Sequence, residues 1–332
     1  DLRVSMTELV SGIEFAIETG RVRAALGQNL PLVIVLLVVA MVFTIRGRPW
    51  IEMATARIEQ DGAGAGGRLS AFIVSLGQII IPVVGLAALS QALLLTGLFE
   101  FYGERLVAFF PWMGLMIFSA RWLAWRFFPS QDVIQSPLNV PKAGRLEARF
   151  TVLMAGLTMA LFGFVRELAE ADVYREGTRA VLEFPLLALG GVLLFRIGRI
   201  MGRHTPLHPA GAAEMPEEEA QPKPQAVDRL GTFLSRLALL IGFVTPILAL
   251  VGYRNAAEAL VFPALATLAQ AATLTLLILV VKDLYLFFRR PKPGEDGLWP
   301  VIIAIFMVVA SIPAFALLWG ATPTDIREVW VR

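Results

Sequence analysis

Cysteine is absent from all 332 residues, and histidine appears only twice. Without cysteine there is no disulfide framework, no thiolate metal site and no cysteine nucleophile. Two histidines leave little scope for haem ligation, zinc chemistry or imidazole acid–base work. Charge is scarce as well. Asp, Glu, Lys and Arg make up 17% of the chain, against about 25% in a soluble domain. What takes their place is apolar: 57% of residues are hydrophobic and the mean hydropathy is +0.69. A soluble fold of this length cannot cover that much apolar surface. The balance excludes a soluble globular protein, a disordered chain and a collagen-like fibre, and leaves a polytopic membrane protein. The net charge of +2 carries no nucleic-acid signal. The chain opens at Asp1 without a signal-peptide pattern and closes at Arg332 without a tail signal. We therefore expect a processed form, or the ordered part of something longer.

A hydrocarbon core about 30 Å thick needs about 20 apolar helical residues. Eight segments meet that demand, some with help from tilt or flanking residues: Leu30–Ile45, Leu69–Leu95, Leu106–Trp125, Phe150–Val165, Val181–Phe195, Leu237–Tyr253, Ala259–Val281 and Leu298–Trp319. None alternates as a barrel strand does, so the expected fold class is all-α. Lys and Arg divide unevenly between the two sets of connections. Nineteen fall on one side, at least four per connection, and ten on the other, never more than three together. The positive-inside rule makes the richer side cytoplasmic and leaves both ends extracytoplasmic.

The expected organisation follows. An amphipathic extracytoplasmic segment covers 1–29. The first span and a cytoplasmic interfacial helix cover 30–68, the helix lying along the inner surface and ending in a glycine-rich run. Three helical hairpins cover 69–129, 149–203 and 229–290. A Pro-, Ala- and Glu-rich cytoplasmic loop, expected to be disordered, covers 204–228. An eighth helix with an extracytoplasmic lead covers 298–332. The hairpins carry a repeat: Glu104–Pro111, Arg179–Pro185 and Glu258–Pro263 each place a charge, then aliphatics, then Phe-Pro before a long apolar run. Pro111, Pro185 and Pro263 recur 74 and 78 residues apart. Proline tolerates the first turn of a helix, where its missing N–H costs nothing, so each is expected at a helix start.

Chemistry is hard to find. Span centres hold no charge, and Glu183, Arg196, Arg236, Lys282 and Asp283 sit near span ends, where they can snorkel. Mid-span Ser75, Gln78, Ser90, Thr158, Thr245, Gln270, Thr273 and Thr275 read as helix–helix hydrogen-bonding groups. No zinc helix, nucleophile elbow or glycine fingerprint occurs. The His204/His208 pair lies among Pro206 and Pro209, which forbid the helix a metal site there would need. We expect no enzyme activity, no cofactor and no metal. Pro82, Pro246 and Pro313 are positioned to kink their helices. Arg196, Arg199 and Arg203 line the end of the fifth span, where they either anchor the helix or meet anionic head groups.

Six segments together resemble a known family. They are Arg46-Gly-Arg-Pro-Trp50, Leu76-Gly-Gln-Ile-Ile-Ile-Pro82, Ala120-Arg-Trp-Leu-Ala-Trp-Arg-Phe-Phe-Pro129, Gly252-Tyr-Arg-Asn-Ala-Ala-Glu-Ala-Leu260, Trp319-Gly-Ala, and Thr324-Asp-Ile-Arg-Glu-Val-Trp330. Across nearly its whole length the chain resembles the membrane sensor region of large bacterial MscS-type mechanosensitive channels that carry an N-terminal periplasmic domain of unknown function. The resemblance implies a channel protomer in the inner membrane, assembled as a homo-oligomer, usually a heptamer, and surrounded by lipid. The family's Gly/Ala-rich pore helix and β-rich vestibule are not in these residues, so no pore or gate position carries over. The tension-sensing candidates are Pro82, Pro111, Pro185, Pro246, Pro263, Pro313, Arg196, Arg199 and Arg203, on hairpins expected to radiate from a central pore. The rival readings are a structural or assembly subunit of another membrane complex and a secondary transporter. The second would need a polar midplane cavity and is poorly served by repeats that run parallel.

Overall fold

A computed structural model describes residues 11, 14–18, 20–61, 65–99, 101–129, 142–170, 176–202, 226–289 and 298–331. Among these there is no strand, and the chain is an all-α polytopic membrane protein. Ten helices are delimited: α1 (Arg21–Ile45), α2 (Gly47–Asp61), α3 (Ala65–Leu95), α4 (Phe101–Phe127), α5 (Lys142–Glu170), α6 (Glu176–Gly202), α7 (Ala226–Val251), α8 (Arg254–Arg289), α9 (Leu298–Leu318) and α10 (Pro323–Val331). Eight of them, α1 and α3 to α9, are long and apolar enough to cross a membrane. Apolar length settles their state, because a backbone in hydrocarbon must satisfy its own hydrogen bonds. α1 begins earlier than hydropathy alone indicates. Gly20 adopts φ 71°, a left-handed conformation that stops any helix from the N-terminal side, and α1 starts directly after it. The loop residues 203–225, with His204 and His208, lie outside the described residues.

Contacts divide the chain into two compact units. The first comprises 1–122, 156–186 and 276–312. In it α1 and α2 both pack on α3. A side chain at Gly77 would strike Ile51, Gly47 sits against Ile81, and a side chain at Gly85 would meet Thr44 and Phe43. Positions 77, 81 and 85 form one stripe of α3, and their partners 51, 47 and 44 descend in the opposite sense. α2 therefore continues along α3. A helix does occupy the stretch expected to lie along the inner surface; Gly47 and Ile51 face α3, while Trp50 and Met53 stay exposed.

α4 returns antiparallel to α3. Ser90 meets Val107, Gly114 meets Leu86, and Trp122 packs edge-on against Phe72, with ring centroids 5.6 Å apart. α5 then runs back along α4. Arg105 pairs with Glu167 at 3.3 Å, a side chain at Gly163 would touch the Phe109 ring, and Gly156 lies against Ala120. Small residues recur at these crossings because lipid tails match Leu in polarity, so helices associate through close packing instead of apolar burial.

The second unit comprises 123–155, 187–275 and 313–332. Its centre is a crossing of α6 and α7. A side chain at Gly191 would collide with Pro246, and one at Gly198 would lie 2.9 Å from both the Ser235 carbonyl and the Leu239 amide. Buried Leu187, Leu194, Thr245 and Val261 pack around this crossing. At the α4–α5 corner, Arg149 stacks over Trp125, 5.3 Å from the ring centroid, and donates to the Phe128 carbonyl at 2.6 Å. α10 starts from a reciprocal cap. The Thr322 amide donates to Asp325 Oδ2 at 2.7 Å, the Asp325 amide donates to Thr322 Oγ1 at 3.3 Å, and Pro323 fills the first helical position.

Candidate functional site: proline-hinged spans

Seven of the eight spanning helices contain an internal proline, and only α5 lacks one. The three Phe-Pro positions are not at helix starts. Pro111 lies ten residues into α4, and Pro185 and Pro263 lie nine residues into α6 and α8. The charged and aliphatic residues that precede each Phe-Pro are themselves part of the helix instead of leading into it. Each proline therefore removes an interior hydrogen bond and frees the carbonyl four residues earlier. For Pro111 that carbonyl belongs to Val107. It is taken by Ser90 Oγ from α3, which donates to it at 2.7 Å in a fully buried position.

Hydroxyls recur beside three of the other prolines. Thr245 donates to the Ile241 carbonyl at 2.7 Å next to Pro246. Thr267 donates to the Pro263 carbonyl at 2.7 Å and accepts the Trp319 indole N–H at 3.0 Å. Ser311 donates to the Val308 carbonyl at 2.6 Å beside Pro313. Such bonds onto the preceding turn favour bending. Around Pro246 the freed carbonyl is that of Gly242, and the two backbones are so close there that a side chain at Gly242 would come within 2.8 Å of the Gly191 carbonyl. Pro82 is fully buried in α3, Pro185 is exposed, and Pro111, Pro246, Pro263 and Pro313 are half-buried. The sequence singled out these prolines. It did not show the hydroxyls that accompany them, although Thr245-Pro246 and the Ser311-x-Pro313 spacing were there to be read.

Polar mid-span groups behave in two ways. Ser75 and Ser90 bridge helices, Ser75 by accepting the Trp122 indole N–H at 3.1 Å. Thr245, Thr273 and Thr275 instead donate to the carbonyl four residues back in their own helices. Ser235, which the sequence did not mark, joins α7 to α6 by donating to the Gly198 carbonyl at 2.8 Å.

The charged residues divide similarly. Arg196 and Arg199 are exposed on α6, consistent with snorkelling, while Arg203 lies outside the described residues. Glu183 does not snorkel. It is the one charged residue fully buried among those described, and its Oε1 accepts from Arg179 Nε at 2.6 Å one turn earlier on α6. Arg121 reaches Glu52 at 2.9 Å, and Glu52 also holds Arg48 at 2.8 Å, which fastens α2 to α4. Arg68 grips Asp283 Oδ1 with both Nε (3.0 Å) and Nη2 (2.7 Å), joining the start of α3 to the end of α8. No cluster of three or more His, Cys, Asp or Glu residues that could hold a metal occurs among the described residues.

The chain matches no family model, no curated protein and no solved structure.

Proposed function

We propose that these spans are the membrane-tension-sensing region of an MscS-type mechanosensitive channel, which releases ions and small solutes on osmotic downshock. In this reading the chain is one protomer of a homo-oligomer, a heptamer by family resemblance, in a bacterial inner membrane with both ends extracytoplasmic. The observation that carries it is the proline in all but one span, combined with sparse burial. α1 buries only Val33 and Ala40 among its described side chains, and α9 buries none. Helices weakened in their interiors and clad in lipid can change tilt and separation at low cost. Tension favours whichever state covers more membrane area, and a full switch needs about 5.5 kcal/mol of difference between states. The prolines supply the bend, and Arg196 and Arg199 hold the end of α6 at the headgroup level.

The test is solute release. Liposomes that hold the purified full-length protein and a self-quenched dye are shifted to low osmolarity. The reading requires rapid dye release that protein-free liposomes lack. Release equal to the protein-free control would contradict it. In that event the assembly-subunit reading takes precedence, because α9, none of whose described side chains is buried, exposes a row of large apolar side chains that another membrane protein could cover.

A further inference from the structure

Arg68 and Asp283 are 215 residues apart in the chain, yet they form a two-pronged ion pair. Their side chains are 52% and 23% exposed, so the pair is wet and weakly held. An exposed pair of this kind biases an equilibrium by about two- to fivefold. That is too little to hold a fold together and enough to tilt a balance between two states. The contact beside it is equally conditional. Gly66 approaches the Phe287 ring so closely that a side chain at position 66 would come within 2.8 Å of it. Backbone and ring meet there only because residue 66 has no side chain. At the α3 end the contact lies in the first turn, where Gly66 and Gly67 directly precede Arg68. At the α8 end, Phe287 and Phe288 pack edge to face, with centroids 5.4 Å apart. Both contacts therefore lie at helix ends, Gly66 and Arg68 in the first turn of α3 and Asp283 and Phe287 in the last two turns of α8.

We propose that the Arg68–Asp283 pair is a breakable latch that holds the start of α3 and the end of α8 together in the smaller-area state and opens under membrane tension. The proposal rests on the tension-sensing reading, but its test does not need a current. These 332 residues contain no cysteine, so no native thiol among them competes with thiols introduced beside the latch, and any cysteine elsewhere in the full-length protein is replaced by serine. The Gly67→Cys/Leu284→Cys variant of the full-length protein leaves both charged residues in place. It is reconstituted in liposomes and treated with a short bis-maleimide cross-linker, in isotonic buffer and during osmotic swelling below the lytic point. The latch predicts rapid cross-linking at rest and a severalfold slower rate in swollen liposomes. Asp283→Asn in the same background should slow the resting rate about two- to fivefold, and the Arg68→Asp/Asp283→Arg exchange should restore it. A rate that swelling leaves unchanged would overturn the latch, as would an absence of cross-linking at rest. If cross-linking responds to swelling while dye release equals the protein-free control, the latch stands and the channel reading fails. If dye release is normal and cross-linking ignores swelling, the channel stands and the latch fails.

Discussion

At the scale of single residues, three side chains carry more than their neighbours. Ser90 compensates for Pro111 by taking the Val107 carbonyl that the proline leaves open. Ser90→Ala would strand a buried carbonyl, at a cost of about 1–2 kcal/mol. Pro111→Ala in the same protein would let the helix close its own bond and remove most of that loss. Thermal unfolding in detergent of the two single variants and the double variant measures this coupling, and additive effects would refute it. Glu183 is fully buried beside Arg179. Arg179→Ala should destabilise by about 3 kcal/mol, because it takes a charge partner from a buried carboxylate, and adding Glu183→Gln should recover part of the loss. The same unfolding assay decides between recovery and a further drop.

Asp325 is different because it is fully exposed. The Thr322 amide, and then the Thr322 hydroxyl, hold its carboxyl below the usual range. A depressed folded-state pKa means that the cap's contribution is complete above the ordinary carboxylate value, about 3.9, and fades only as pH falls through the lower, folded one. A carbon-13 titration of the Asp325 carboxyl in micelles should therefore show a midpoint below that value. The Thr322→Ala variant should move it back up. A wild-type midpoint at or above the ordinary value would contradict the cap.

At the scale of elements, the crossing of α6 and α7 brings backbone against backbone. A side chain at Gly242 would run into the Phe195 backbone and the Gly191 carbonyl. Gly242→Ala should cost about 1–3 kcal/mol. Gly27→Ala, where nothing lies within 4 Å, should be neutral or slightly stabilising, since alanine is the better helix former. Much at this level was legible in the sequence. Apolar run length located eight spans, since hydrocarbon admits nothing but helix there. Alternating basic connections gave their antiparallel succession, and α3 to α5 follow it. What escaped depended on a partner. The contact of Ile51 and Gly47 with α3 leaves no mark in the local pattern of α2. The Phe-Pro positions read as helix starts because the local pattern does not reveal that the charged residues before them are helical. Glu183 lies near a span end in the sequence, and only packing made it buried. The Arg68–Asp283 pair had no local signature at all.

At the scale of the whole molecule, the proposed tension sensor rests on internal prolines in seven of eight spanning helices and on the sparse burial of α1 and α9. The most direct measurement is a pressure-clamp recording of the full-length protein in liposome patches under graded suction, with its presence in the patch membrane verified by a fluorescent tag. The account predicts stepwise currents whose open probability rises steeply with tension below the lytic limit. Patches that contain the protein and stay silent up to rupture would contradict it.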